Sequence, residues 1–112
     1  MTPRLASAVL VAALIRRAQA EGGFGAVLAK GDATAGAVAV ILAERGRKAA
    51  FLERMLQPDG GYAWRDSGEG LDSDAAYDDL LARRRRVDPD LWAVELDVAS
   101  AERFAAEMND IG

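Results

Sequence analysis

The sequence contains no cysteine and no histidine. Without cysteine there is no disulfide, no thiol nucleophile, no iron–sulfur cluster and no thiolate zinc site. Without histidine the commonest general base, the commonest transition-metal ligand and the usual switch near neutral pH are missing. A histidine-based hydrolytic triad and a His- or Cys-ligated zinc enzyme are therefore excluded by inventory. Aromatic residues make up only 6% of the chain. The core must then be built from small side chains, and Phe24, Phe51, Trp64, Trp92 and Phe104 each carry more weight than usual. Lysine is scarce too, with only Lys30 and Lys48. The other basic residues are arginines. Beside abundant Ala and Gly, that reads as coding-base composition and not as function. Long apolar runs are also lacking. Leu5 to Ile15, broken only by Ser7, falls short of the roughly 20 residues needed to span a bilayer.

That N-terminal run superficially resembles an export signal, with Arg4 ahead of it and Ala18-Gln19-Ala20 after it as a cleavage-like site. Arg16 and Arg17 stand between the two, where export signals are usually uncharged. A buried amphipathic helix accounts for the segment better, with Thr2 as its cap, Pro3 in its first turn and Gly22-Gly23 at its end. The whole chain, residues 1–112, reads as one domain by length. Its 51% apolar content is ordinary for a globular fold. A net charge of −4 gives no global attraction to nucleic acid or anionic membrane, so such contacts would need a local basic patch.

After the first helix the period shortens. Phe24 to Gly31 predicts a strand. A second runs through Val38, Val40 and Ile41, and a third through the stretch from Arg47 to Leu56. Arg45-Gly46-Arg47 suits a hairpin turn between those two, and Gln57-Pro58-Asp59-Gly60-Gly61 a further turn before a short strand at Tyr62. A second helix is expected from Asp72 or Ser73, with Ala76, Tyr77, Leu80 and Leu81 as its apolar stripe and Asp88-Pro89 as its stop. Trp92, Val94, Leu96 and Val98 alternate as one face of a last strand. Ser100 caps a final helix with Ala101, Phe104, Ala105 and Met108 inward. The expected class is α+β: helix, antiparallel four-strand meander, helix, strand, helix, with the helices packed against one face of the sheet.

The Gly22-Gly23-Phe24 turn, the Gly31 to Gly36 turn and Asp88-Pro89-Asp90-Leu91-Trp92 occur in order along the chain. With them the sequence resembles a small, uncharacterised alphaproteobacterial family catalogued only as a domain of unknown function. The resemblance covers essentially the whole chain. It implies a free-standing cytoplasmic protein. It brings no activity and no catalytic residues.

Few motifs carry chemistry. Gly31-Asp32-Ala33-Thr34-Ala35-Gly36 has the glycine spacing of a phosphate loop, but Ala37 and Val38 follow in place of Lys and Ser/Thr, and a strand follows in place of a helix. A hairpin turn is the plainer reading. Asp66, Glu69, Asp72, Asp74, Asp78 and Asp79 are dense enough to suggest acid–base work or Mg²⁺. Asp72 and Asp74, however, sit where a helix start favours negative charge, and a solvated, capped helix start is the plainer reading. No metal site, cofactor or catalytic residue is assigned. Tyr62 and Trp64 share one face of a short strand and are the candidate partner surface, with simple core packing as the plainer reading and a homodimer contact as another. Arg83, Arg84, Arg85 and Arg86 fan around a helix and cannot all face one phosphate backbone. As the last turn of a helix they complement its dipole.

These observations do not favour an enzyme. They favour a small domain acting through protein contacts, self-association foremost. The alternative is an arginine-based binder of an anionic or phosphorylated ligand using Arg16, Arg17, Arg83 and Arg86. Nucleic-acid binding is a weaker third reading, and no membrane contact is expected.

Overall fold

The structure is a computed structural model and describes residues 5–110. Its elements are α1 (Ser7–Ala20), β1 (Phe24–Ala29), β2 (Val38–Glu44), β3 (Arg47–Leu56), β4 (Tyr62–Asp66), α2 (Asp74–Val87), β5 (Trp92–Asp97) and α3 (Ala101–Met108). The class is α+β, and each expected element forms. Thr2 and Pro3, the proposed start of the first helix, lie outside the described residues. α1 has no side-chain cap at Ala6. Its first N–H groups are met by the loop between β1 and β2 instead: Ser7 N donates to the Thr34 carbonyl at 3.2 Å and Ala8 N to that of Ala33 at 2.9 Å. Loop carbonyls thus take over part of the capping that a helix start requires.

Local signals explain most of the rest. Arg45 and Gly46 have φ of 51° and 81°, the left-handed pair that a two-residue hairpin needs. They join β2 to β3 in antiparallel pairing. The Ser73 hydroxyl accepts from Ala76 N and opens α2. α2 then ends at Val87, just before Asp88-Pro89. The Ser100 hydroxyl accepts from Arg103 N and opens α3.

Two expectations are corrected. The sheet is not a four-strand meander followed by a separate strand. Its order is β1-β5-β2-β3-β4. β5 lies between β1 and β2, antiparallel to the first and parallel to the second. The loop from Lys30 to Ala37 is therefore no hairpin. It steps over one strand, a gap of about 10 Å at normal strand spacing. The physical reason is burial. Trp92, Val94 and Leu96 are buried on one face and Ala93 on the other, and a strand enclosed in this way is most stable in the sheet interior.

Nor do the helices share one face. α1 and α3 cover Val40, Leu42, Leu52, Trp92, Val94 and Leu96, while α2 covers Ala39, Ile41 and Phe51 from the other side with Tyr77 and Leu80. β2 is buried along six consecutive residues, Val38 to Ala43. Such a strand demands cover above and below, which helices on a single face cannot supply.

Candidate functional site

The arginine run resolves into separate tasks. Arg84 Nε lies 3.2 Å from both Glu53 carboxylate oxygens, and its Nη2 lies 3.1 Å from one of them. This fork ties α2 to β3. Arg85 donates to the carbonyls of Pro89, at 2.9 Å, and Leu91, holding the stop that follows α2. Arg83 and Arg86 are exposed, and their side chains make no ion pair or hydrogen bond among the described residues. Arg17 binds Glu21 at 3.2 Å and Glu107 at 3.1 Å, joining α1 to α3. Arg16 is exposed on α1. The structure does not bring the four candidate anion ligands together. Arg16 and Arg17 belong to the helix on one face of the sheet, and Arg83 and Arg86 to the helix on the other.

Three of the carboxylates around the start of α2, Asp66, Asp74 and Asp78, are likewise occupied in building the fold. Asp66 accepts from Phe51 N at 3.1 Å and Gly68 N at 2.8 Å, and Asp74 accepts from Lys48 N at 3.1 Å. Lys48 Nζ lies 3.2 Å from Asp78 and 3.8 Å from Glu95. Partial burial pushes the Lys48 ammonium toward a lower pKa. The hydrogen bond to Asp78 and the charges of Asp78, Glu95 and Asp74 outweigh it, and the pKa stands above the ordinary lysine value. Burial, followed by the charges of Asp66 and Asp74, pushes the Tyr77 phenol up. Among the described residues no three Asp or Glu side chains converge to hold a metal ion.

The glycine loop is packing machinery. A Cβ on Gly31 would stand 2.1 Å from the Asp90 carbonyl oxygen, and one on Gly36 would stand 2.5 Å from it. Asp32 N donates to that same carbonyl at 3.1 Å, and Trp92 Nε1 donates to the Asp32 carbonyl at 2.7 Å. The loop and the Asp90–Trp92 segment are thus built against each other, with no cradle of free N–H groups for a phosphate.

Tyr62 and Trp64 do share a face. Trp64 is partly buried against the α1/α3 core, and its N–H donates to Asn109 Oδ1 at 3.2 Å. The Tyr62 ring lies under the Arg54 guanidinium, 4.6 Å from the ring centroid. Beside it a cleft of about 200 Å³ opens between Leu5, Ser7, Gly36, Arg54 and Tyr62, below the usual range for a small-molecule pocket.

The sheet's two edges differ. β4 is short, carries Arg65 and Asp66, and has the N–H of Trp64 engaged by Asn109. These are the devices that blunt an edge. β1 reads Phe-Gly-Ala-Val-Leu-Ala, with no charge and no proline. Phe24 is 59% exposed, and Val27 and Leu28 are each 46% exposed. Phe24 pairs with Asp97 and Ala26 with Glu95, so both lie on the face that α2 covers only further along the sheet. Val27 pairs with Val94 on the α1 face, and Leu28 is the extra residue where the register shifts. An apolar, uncharged edge is open to another strand from Phe24 to Val27, and the bulge at Leu28 marks where regular pairing ends.

Residues 5–106 match the family described as "Protein of unknown function (DUF1491)". The chain belongs to the DUF1491 family. The match bears out the resemblance read from the glycine turns and the Asp88–Trp92 segment. A crystal structure of a DUF1491 family protein from Caulobacter crescentus is 35% identical, with a TM-score of 0.81, covering 90% of this chain and 94% of that one. The solution structure of protein Atu0922 from A. tumefaciens is 33% identical, with a TM-score of 0.77, covering 91% and 92%. An NMR structure of a DUF1491 family protein from Caulobacter crescentus is 34% identical, with a TM-score of 0.80, covering 92% and 94%. None of the curated proteins compared matches the chain. The DUF1491 description assigns no activity.

Sequence reasoning did not single out the β1 edge of this DUF1491 chain: the expected meander has β1 at one end and β4 at the other, and the place of the fifth strand was left open. It also counted Phe24 among the core aromatics, whereas the fold leaves that ring largely in water. The signal was present: β1 is the strand with no charged residue along its length, yet it has no alternating apolar face.

Proposed function

We propose that this protein is a non-enzymatic binding domain that works through protein contacts at the β1 edge. The observation that carries the reading is the contrast between the two edges. Apolar side chains stand in solvent along uncharged β1, while β4 is charged and engaged by Asn109. Main-chain groups of an edge strand supply affinity to an added strand, and the flanking side chains supply selectivity. The arrangement needs no ionisable catalyst, in keeping with a chain that lacks both histidine and cysteine. An anion site shared by Arg16, Arg17, Arg83 and Arg86 draws less support, since the two pairs stand on opposite faces.

The test is capture by immobilised protein. Wild type is compared with Leu28→Lys, which places a charge on β1, and with Val87→Lys, which alters an exposed apolar residue at the end of α2. Binding of any polypeptide, whether the same chain or a foreign one, is expected to fall with Leu28→Lys and to persist with Val87→Lys. Equal retention by both variants would overturn the assignment of contacts to β1.

A further inference from the structure

We infer that the occupant of the β1 edge is a second copy of this chain, paired β1 to β1 in antiparallel fashion about a two-fold axis near Ala26. This rests on the reading of β1 as the contact edge and names its partner. The reason lies in the pattern of the strand. In an antiparallel pair centred on Ala26, residues equidistant from the centre meet. Gly25 then meets Val27 of the other copy and Ala26 meets itself, while Phe24 comes beside Leu28 at the bulge.

The large exposed side chains are thereby matched, and the residue opposite Val27 is the one with no side chain. Gly25 is crowded on its own face, where a Cβ would come within 2.7 Å of Leu96 Cδ2 and 3.0 Å of Ile15 Cγ1. The neighbouring Val27, on the same face and 46% exposed, would reach across the axis over Gly25 of the other copy and onto the Leu96 and Ile15 side chains that fill the space there. The same register carries Lys30 of each copy to the Gly22 end of the other's strand. Glu21, which follows α1 there, already binds Arg17 and Arg103 at 3.2 and 3.4 Å, so charged groups stand only at the two ends of the contact. No charge lies between them. A two-fold contact of this kind is isologous and closes on itself, so it yields dimers and not filaments.

Pairing one short strand per copy buries less than the roughly 800 Å² per partner of a standard interface. Association is therefore of the weak, transient kind. Sedimentation velocity across a concentration series tests this, with wild type, Phe24→Lys and Leu28→Lys compared. Circular dichroism melts of the same samples verify that the variants fold. Wild type is expected to move from monomer to dimer as concentration rises, and both variants to remain monomeric with native spectra. A wild type that stays monomeric to millimolar concentration overturns the second copy as occupant. If capture of a foreign polypeptide is then lost with Leu28→Lys, the β1 edge still stands as the contact surface. If it is retained, the edge reading fails too. Dimerisation of wild type that persists in both folded lysine variants would also overturn the inference, because the contact would lie elsewhere.

Discussion

Replacing Phe24 by alanine and, separately, Phe51 by alanine removes the same side chain from opposite circumstances. Phe51, on β3 beside Ile41 of β2, is 0% exposed and packs under α2, with Tyr77 and Leu80 in its cluster. Truncating such a residue leaves a cavity as well as losing its burial, and costs about 3–5 kcal/mol. Phe24 is 59% exposed. Full burial of a phenylalanine is worth about 1.5–3 kcal/mol. With about two fifths of its surface out of water, Phe24→Ala should cost about 1 kcal/mol, and less once residual burial in the unfolded chain is counted. The assay is urea denaturation followed by the fluorescence of Trp64 and Trp92. Protein is kept dilute so that association adds nothing to stability. The gap between the two variants should be at least about 2 kcal/mol. A Phe24→Ala loss equal to that of Phe51→Ala would show that Phe24 belongs to the core, and β1 would no longer offer a free apolar edge.

Gly31→Ala would place a Cβ 2.1 Å from the backbone oxygen of Asp90. Backbone cannot yield as a flexible side chain does, so a loss of about 1–3 kcal/mol in chemical denaturation is expected, and a neutral result would contradict the packing of this loop. Alkaline pH should destabilise the fold. Tyr77 and Lys48 both have folded pKa values raised above their ordinary values of 10.0 and 10.5, so each contributes stability fully below its unfolded value and loses it as pH rises through the folded one. Tyr77→Phe should remove the tyrosine's share, giving a shallower fall in urea midpoint above about pH 10; an unchanged slope would refute it. Arg84 and Glu53 have side chains 44% and 22% exposed. Arg84→Met should therefore cost no more than about 1 kcal/mol and less in high salt, and a larger, salt-insensitive loss would mean that the pair holds α2 in place.

What the sequence could disclose followed the range of its physics. The β2–β3 hairpin, the Ser73 and Ser100 caps, the Asp88-Pro89 stop and the inward face of Trp92, Val94, Leu96 and Val98 all rest on neighbours a few residues apart. Each of those elements formed. Strand order does not rest on neighbours. The Lys30–Ala37 loop carries good turn residues, and nothing within it says that a strand some 60 residues later will enter the gap it crosses. The side on which α2 packs is also a long-range matter, though the unbroken apolar run of β2 was a cue for cover on both faces. The arginine run was legible as a helix end. That Arg84 would bind Glu53 and Arg85 the Pro89 and Leu91 carbonyls required the fold. The β1 edge was hidden for the same reason as the strand order: a strand is an edge only once its neighbours are known.

The most direct measurement of the central claim is a dilution series followed by backbone amide chemical shifts. If two copies meet at β1, the signals that move with concentration will cluster at Phe24 to Leu28 and the adjoining flank of α1 about Ile15. Those of β4 and of Arg83 to Arg86 will stay fixed. Shifts confined to β4 or to the end of α2, with β1 unmoved, would contradict the account.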